Sequence, residues 1–564
     1  MQLKYLAGLA AFLLQTVPGL ASEKAGPSMI LLNGKIVSVD AKQSQFEAIA
    51  IDGEKIEALG KTAEIRKLAR KGTKIVDLQG RTVIPGLIDG HIHAIRAGAE
   101  HSSSVVLGEA RSISDVLSAL RTAAQQSPEG DWLLTRGGWH INQLSEQRAP
   151  TAAEIDSVAP HHPVFLLHQY GFIVLNKLAM QRLGISSQAD VAAPLQVVLG
   201  PDGAPNGIII AKGGSIQVGQ LLTRLPKPKF QNQVAGTESY FKYLNSLGIT
   251  GVIDDGGVLG AEQYQPIFDV WRRRRLTVRV RYNLQSVTEG QELANVQQLT
   301  QMTPPLYGDG MLRALGIGEY MTKGMFDTSF LSPAVPRSNE AMKEGLVYAR
   351  WVASKGYALE VHVTHDETAQ AFLDIFEELN TTTPIAQLRW KLAHCDDCTE
   401  DTLRRMKALG MGYAVQDRTY FDGDDFVAGK GIEVARRSPA VGTAVRLGLN
   451  IGGGSDGSVV SPVNPFIGLR WLVTGLAVTG TPLRAPSELV SRMDALRIYT
   501  LNNAWMSFEE NDRGSLESGK LADMVILDRD YLTVPVEQIG EIRPLATMVG
   551  GKIVYAAEPF ATLR

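Results

Sequence analysis

Val83-Ile-Pro-Gly-Leu-Ile-Asp-Gly-His91-Ile-His93 is the stretch on which the reading of the fold turns. An apolar run, interrupted by Pro85-Gly86, ends in two histidines one residue apart. This describes a buried strand that enters a core and presents imidazoles at its C-terminal end. Strand side chains alternate, so His91 and His93 share one face. Two neutral imidazoles side by side suit one Zn, Fe or Mn ion. The same pair by itself equally describes ordinary polar histidines at a strand end, so the decision rests on the remaining sequence.

Outward from this stretch the texture is that of strands alternating with helices, which implies βαβ units and a parallel sheet. Strands are expected at Trp132 to Thr135, Pro163 to His168, Gly251 to Asp254, Thr277 to Leu284, Ala314 to Glu319, Ala358 to His362, Leu388 to His394, Gly412 to Val415 and Leu449 to Gly452. Helices are expected at Ser112 to Gln126, Val234 to Gly248, Asn339 to Lys355, Glu367 to Asn380, Glu400 to Leu409 and Pro486 to Thr500. About eight such units argue for a TIM-type (β/α)8 barrel, with one or two early strands left over for an insertion. A doubly wound open sheet is the alternative, but no Gly-x-Gly-x-x-Gly follows a strand.

Both ends of the chain are rich in short strands. Met29 to Val39 and Ala48 to Leu59 look like hairpins turning at Asn33-Gly34 and Asp52-Gly53, and Ala522 to Leu527 and Ala546 to Val554 continue the pattern at the far end. The expected organisation is a small β-sandwich from residues 22–84 and 501–564, and an α/β barrel over residues 85–500. The insertion is expected between about 100 and 245.

The 564 residues are 44% apolar and 20% charged with a formal net charge of -3, an ordinary globular balance with no basic face for nucleic acid. The Arg272 to Arg275 run closes an expected helix and is read as solvated charge. Residues 1–21 place one early Lys4 before a short apolar centre and small residues before Ser22, the pattern of a secretory signal peptide. Export to the periplasm or medium is expected, with no membrane association once the leader is removed. Cys395 and Cys398 are the two cysteines. They are read as local thiols, with a disulfide as the alternative.

Reactive residues of such barrels sit at strand C-terminal ends. Those ends carry His91, His93, Glu319, His362, His394 and Asp456, and this concentration of histidines and carboxylates points to a metal centre.

The pattern resembles the amidohydrolase superfamily, in its family 3 branch often called YtcJ-like. The likeness runs from about Met29 to Val554. It rests on the His91-x-His93 entry motif, Gly130-Asp-Trp-Leu-Leu-Thr-Arg-Gly-Gly-Trp139, His362 followed by Asp366, Gly454-Ser-Asp456, and Gly514-Ser-Leu-Glu-Ser-Gly-Lys-Leu-Ala-Asp523. It implies a distorted TIM barrel with a terminal β-sandwich, and hydrolysis of a carbon–nitrogen bond of a small organic substrate by metal-activated water. By the same likeness His91 and His93 hold one divalent metal, His362 and His394 a second, and Asp456 binds the first and moves the proton. Zinc is the expected metal, with Mn or Fe as alternatives, and a homodimer is the family-like assembly.

One departure stands out. Where the family usually has a carbamylated lysine in Lys-x-x-x-Asp-Gly, this chain has Glu319-Tyr-Met-Thr-Lys323-Gly324. Glu319 can supply the bridging carboxylate directly. Alternatively Lys323 pairs with Glu319 and leaves a one-metal site. Trp139, His168, Lys323 and His365 are the candidate substrate contacts, and Arg136 to Gln147 and Asp417 to Lys430 the loops expected to shape the pocket. Lactone or ester hydrolysis, a metal-assisted lyase or isomerase reaction, and a non-catalytic binding protein are the rival functions.

Overall fold

The computed structural model describes residues 26–211, 215–256, 260–330, 332–457 and 459–563. The expected signal peptide, residues 1–21, lies outside the described residues.

Eight parallel strands pair in chain order: β1 (Leu87–Ile92), β2 (Ile249–Asp254), β3 (Arg279–Leu284), β4 (Leu312–Ile317), β5 (Ala358–Val363), β6 (Lys391–His394), β7 (Gly412–Gln416) and β8 (Asn450–Gly454). Helices such as Phe230–Ser246, Asn339–Ser354, Asp366–Asn380 and Glu400–Ala408 separate them. Every residue of β1, β2, β3, β5, β6 and β7 is buried. Helices cover one face of each strand and side chains fill the barrel behind the other, which is why these strands are near-continuous apolar runs. Ile253, Leu315 and Ala393, from the alternate strands β2, β4 and β6, form an interior layer with Ala414 and Met506. Below it, Arg281 of β3 and Arg513 share the buried carboxylate of Glu509, at 2.5 and 2.6 Å. A Cβ on Gly251 would lie 2.1 Å from Arg513 Nη1, so β2 passes this plug only as glycine.

Where the barrel closes between β1 and β8, one side chain bridges both strands. Asn503 Nδ2 donates to Ile88 O at 2.6 Å and to Gly453 O at 2.8 Å. A Cβ on Gly452 would lie 2.1 Å from Asn503 Oδ1, and one on Gly90 2.3 Å from it. The Gly452-Gly453-Gly454 run therefore brings β8 close enough for the amide to bridge both strands.

Two further sheets, of four and six strands, lie beside the barrel. The first joins Lys55–Gly60, Ala48–Asp52, Met29–Leu32 and Lys74–Asp77. The second joins Lys552–Ala556, Pro544–Val549, Met524–Leu527, Thr82–Pro85, Lys35–Val37 and Gln45–Phe46. Leu31, Ile51 and Val76 from one, and Val83, Ile526 and Met548 from the other, share one core. Asp52-Gly53 is a hairpin turn, as expected. Asn33-Gly34 is not: Met29–Leu32 and Lys35–Val37 belong to different sheets, so the chain crosses between layers there. The far end joins these sheets from Leu516, whose amide donates to Ser38 O and whose side chain lies in their shared core, because Leu501–Met506 packs under the barrel, which moves the boundary expected at 501.

A five-stranded sheet within residues 133–210 (Leu133–Arg136, Val164–His168, Phe172–Leu175, Gln196–Leu199 and Pro205–Ile210) is the insertion, and it takes up the two surplus early strands. Phe230–Ser246 packs on the barrel through Val234, Phe241 and Leu244, so the insertion ends before it. The stretch expected as a loop after β7 is a helix, Arg418–Lys430, with Tyr420, Phe421 and Phe426 buried. Cys395 and Cys398 are joined as a disulfide rather than left as thiols.

Replacing Asn503 with alanine removes two buried hydrogen bonds at the seam and is expected to destabilise the protein by about 2 kcal/mol. Urea denaturation followed by circular dichroism checks this, and an unchanged midpoint would show that the seam holds without the amide.

Candidate metal centre

The structure brings all six residues singled out at strand ends to one place above the barrel. His91 lies on β1 and His93 just beyond it, His362 on β5, His394 at the end of β6, Glu319 two residues past β4, and Asp456 two residues past β8. All except Glu319, which is slightly more open, are buried.

Glu319 and Asp456 stand between two pairs of imidazoles. His93 Nε2 is 3.3 Å from Asp456 Oδ1 and 3.7 Å from Glu319 Oε1. His91 Nε2 is 3.8 Å from Asp456 Oδ1 and 3.7 Å from Glu319 Oε2. On the other side, His362 Nδ1 and His394 Nε2 face the same Glu319 Oε2 at 3.1 and 3.2 Å and each other at 2.9 Å.

These spacings fit a divalent cation. Tetrahedral zinc with bonds of about 2.0–2.1 Å holds its ligand atoms roughly 3.3 Å apart. His91 Nε2 is buried and has no hydrogen-bond partner, an orphaned lone pair of the kind an ion satisfies. His91, His93 and Asp456 make one ligand set within 4.8 Å, and His91, Glu319 and His394 another. Burial, reinforced by the neighbouring His362, pushes the His394 pKa down to about 4, so its ring is neutral at physiological pH, as a ligand must be.

Behind the imidazoles is a shell of charges. His91 Nδ1 donates to Glu360 Oε1 at 2.8 Å, with Asp255 Oδ2 3.0 Å away. Glu360 Oε2 in turn meets the buried Lys391 ammonium at 2.5 Å. Burial opposes ionisation of Glu360, but the Lys391 charge outweighs it and draws the pKa down to about 2. Asp327 plays the corresponding part for His362, at 3.5 Å from Nε2, and is itself held by the Thr364 and His365 amides. Asp89, inside the opening motif, accepts from the Ser455 amide and hydroxyl at 3.0 and 2.6 Å and ties the end of β8 to β1 beside Asp456. Such partners orient ligands and raise their basicity.

Sequence reasoning missed Asp255, Asp327, Glu360 and Lys391. The signal was present for two of them. Glu360 is on the same strand face as His362, and Glu360 and Lys391, opposite charges inside apolar strands, are register partners.

The expected substrate contacts fare differently. Lys323 does not pair with Glu319; its half-exposed ammonium lies against Glu289, outside the cluster. Trp139 is wholly buried and donates from Nε1 to Leu167 O at 2.8 Å, so it packs the insertion rather than walling a pocket. His365 is buried beneath the rim, with Nε2 beside Ser329 O and Nδ1 beside the Lys430 ammonium, which also meets Asp397. His168 stacks on Phe172 at 4.3 Å and accepts from the Ile141 amide at 3.2 Å. The neighbouring His140 holds Asp422 at 2.9 Å, and Asn142 donates to Phe421 O, so the insertion is fastened over the barrel through the helix after β7.

A model of the amidohydrolase family matches residues 74–555. The chain belongs to the amidohydrolase family. Membership makes it a metal-dependent hydrolase of carbon–nitrogen bonds. It is 25% identical to N-substituted formamide deformylase of Arthrobacter pascens, over 93% of this chain and 98% of that protein. It is 23% identical to the putative amidohydrolase YtcJ of Bacillus subtilis (strain 168), again over 93% and 98%. Among solved structures, an uncharacterized metal-dependent hydrolase from Pyrococcus horikoshii superposes with a TM-score of 0.65 at 20% identity, covering 90% of this chain and 99% of that one. The last likeness concerns the fold.

Two outcomes follow from this geometry. Glu360→Gln, which unbalances the charges behind His91, is expected to weaken zinc binding about 10- to 100-fold in a chelator competition; unaltered affinity would show that Nδ1 needs no carboxylate. Burial pushes the His168 pKa from 6.5 down to about 3. The unfolded chain binds the extra proton between those values, so acid costs stability as pH falls below 6.5. His168→Gln keeps an acceptor for the Ile141 amide and is expected to reduce the loss between pH 7.5 and pH 5 by about 2 kcal/mol, as read from urea midpoints.

Proposed function

We propose that this chain is an exported amidohydrolase that cleaves the amide bond of a small organic molecule at a two-ion centre. His91 and His93 would hold one ion with Asp456, and His362 and His394 the other. Glu319 would bridge them in place of a carbamylated lysine. The observation that carries the reading is the position of Glu319, whose Oε1 faces His93 while Oε2 faces His362 and His394 and, at 3.7 Å, His91. A carboxylate in reach of both imidazole pairs is suited to joining two cations.

A divalent cation, zinc by preference, supplies Lewis acidity there and brings a water toward neutral pKa. The protein's own part is to move the proton. Asp456 is buried, yet the hydrogen-bonding contact with His93 and the neighbouring His394 and His91 imidazoles keep its carboxyl well below the usual range. It is therefore an ionised acceptor at neutral pH. Its Oδ2 points toward His394 Nδ1 at 4.0 Å, so one carboxylate reaches both imidazole groups. Passing that proton to the leaving nitrogen lets an amine depart in place of an amide anion. The similarity to a formamide deformylase over nearly the whole chain makes N-substituted formamides the first amides to test. Export rests on the leader-like residues 1–21.

Protein prepared without chelators is expected to contain two equivalents of metal and Glu319→Ala one or fewer, by inductively coupled plasma analysis. A single equivalent in the unaltered protein would remove the bridge. Asp456→Asn is expected to lower kcat on N-substituted formamides about 10²- to 10⁴-fold. Survival of turnover with metal still bound would remove the proton-transfer role, and faster turnover of lactones than of amides would change the bond assigned.

A further inference from the structure

Arg418, the first residue of the helix after β7, is 7% exposed, and its Nε and Nη1 have no hydrogen-bond partner among the described residues. Its nearest carboxylate oxygen, Asp396 Oδ2, is 3.5 Å from Nη1 and is likewise without a hydrogen bond. Arg279 grips Asp523 with two nitrogens, and Arg281 and Arg513 share Glu509 at 2.5 and 2.6 Å, each a closer carboxylate than any that Arg418 meets. A guanidinium carries five donors in a rigid fork and stays charged under all conditions. Leaving Nε and Nη1 of such a group buried without acceptors is unfavourable, which makes sense where a ligand supplies them.

The location indicates the ligand. Arg418 lies on the barrel face that carries the metal centre, close enough for its charge to act on His362, His394, Glu319 and Asp456. Its flanks are also unfinished. Gln416 Oε1, Asp417 Oδ1 and Thr419 Oγ1 are buried without partners, so four consecutive residues present unused polar atoms. Phe330 lies under the guanidinium at 5.5 Å from the ring centre. One fixed fork surrounded by acidic side chains matches a planar monoanion better than a phosphate dianion.

We propose that Arg418 receives a carboxylate on the substrate, so that the amides cleaved here are of the N-acyl amino acid class, N-formyl derivatives included. This rests on the amide-hydrolase reading above. The Thr419 hydroxyl, a donor without a partner one residue on, is available to the same carboxylate.

The test pairs acids with neutral isosteres: N-formylglycine and racemic N-formylleucine and N-formylphenylalanine against their primary amides, on the metal-replete full chain. The unaltered enzyme is expected to favour the acids at least tenfold in kcat/KM. Arg418→Met is expected to lower kcat/KM for the acids about 30-fold more than for the amides, chiefly through KM, with any loss common to both reporting the guanidinium charge on the metal centre. Arg418→Lys, which keeps the charge without the fork, should fall between. Arg418→Met/Asp396→Asn, which removes both members of the long pair, guards against misfolding and should behave as Arg418→Met. Equal losses on acids and amides in Arg418→Met, or a preference of the unaltered enzyme for amides, would overturn the proposal. If the unaltered enzyme hydrolyses no member of the panel, the amide-hydrolase reading falls, and calorimetry of N-formylphenylalanine against its amide still judges Arg418. A preference for binding the acid that disappears in Arg418→Met supports the anion site; its absence, or displacement of the acid by inorganic phosphate at lower concentration, overturns it.

Discussion

The hydrogen bond from His91 Nδ1 to Glu360 is the interaction on which the centre depends. It fixes the ring so that the opposite nitrogen carries its lone pair toward Glu319 and Asp456. The bond needs an ionised carboxylate in the barrel interior, and Lys391 on the adjacent strand makes that tolerable. One charge chain thus runs from β1 to β5 to β6. Removing Glu360 or Lys391 would leave a buried charge without compensation, a costlier change than losing one hydrogen bond.

The same economy of elements operates at the seam. The glycines of β8 admit Asn503, which joins β8 to β1, and the chain then leaves β8 through Ser455, held by Asp89 of β1. Asp456 follows in the left-handed region, at φ 54°, a conformation aspartate tolerates better than most residues. Its amide donates to His91 O at 2.9 Å. The contacts that close the barrel are therefore those that set Asp456 beside His93. The insertion is fastened to the helix after β7 through His140 and Asp422, and to the segment after Asp456 through Gly138 and Val459, so it meets the barrel near both Arg418 and the metal centre.

Much of this was legible in the chain. Apolar runs ending in histidine or a carboxylate mark barrel strands, because such a strand is buried along its length and opens only at its C-terminal end. The residues misjudged were those whose environment comes from distant segments. Trp139 and His365 look like rim residues by position, yet Leu167 in one case and Lys430 with Ser329 in the other enclose them. Asn33-Gly34 has the composition of a hairpin turn, but its two strands have stronger partners in separate sheets. Arg418 drew no attention because a lone arginine in a polar stretch ordinarily faces solvent.

The sequence by itself determined the barrel, the two-ended β layer and the six residues at the centre, since periodicity and strand-end chemistry are local properties. It also showed that Glu319 stands where a lysine is usual. Only the tertiary structure decided that Glu319 faces both imidazole pairs while Lys323 turns to Glu289, that Glu360, Asp255 and Lys391 support His91, and that Arg418 is buried with two of its nitrogens unpaired. Those outcomes depend on which side chains meet across strands and loops tens to hundreds of residues apart. Burial then turns each such meeting into a requirement for a compensating charge or hydrogen bond.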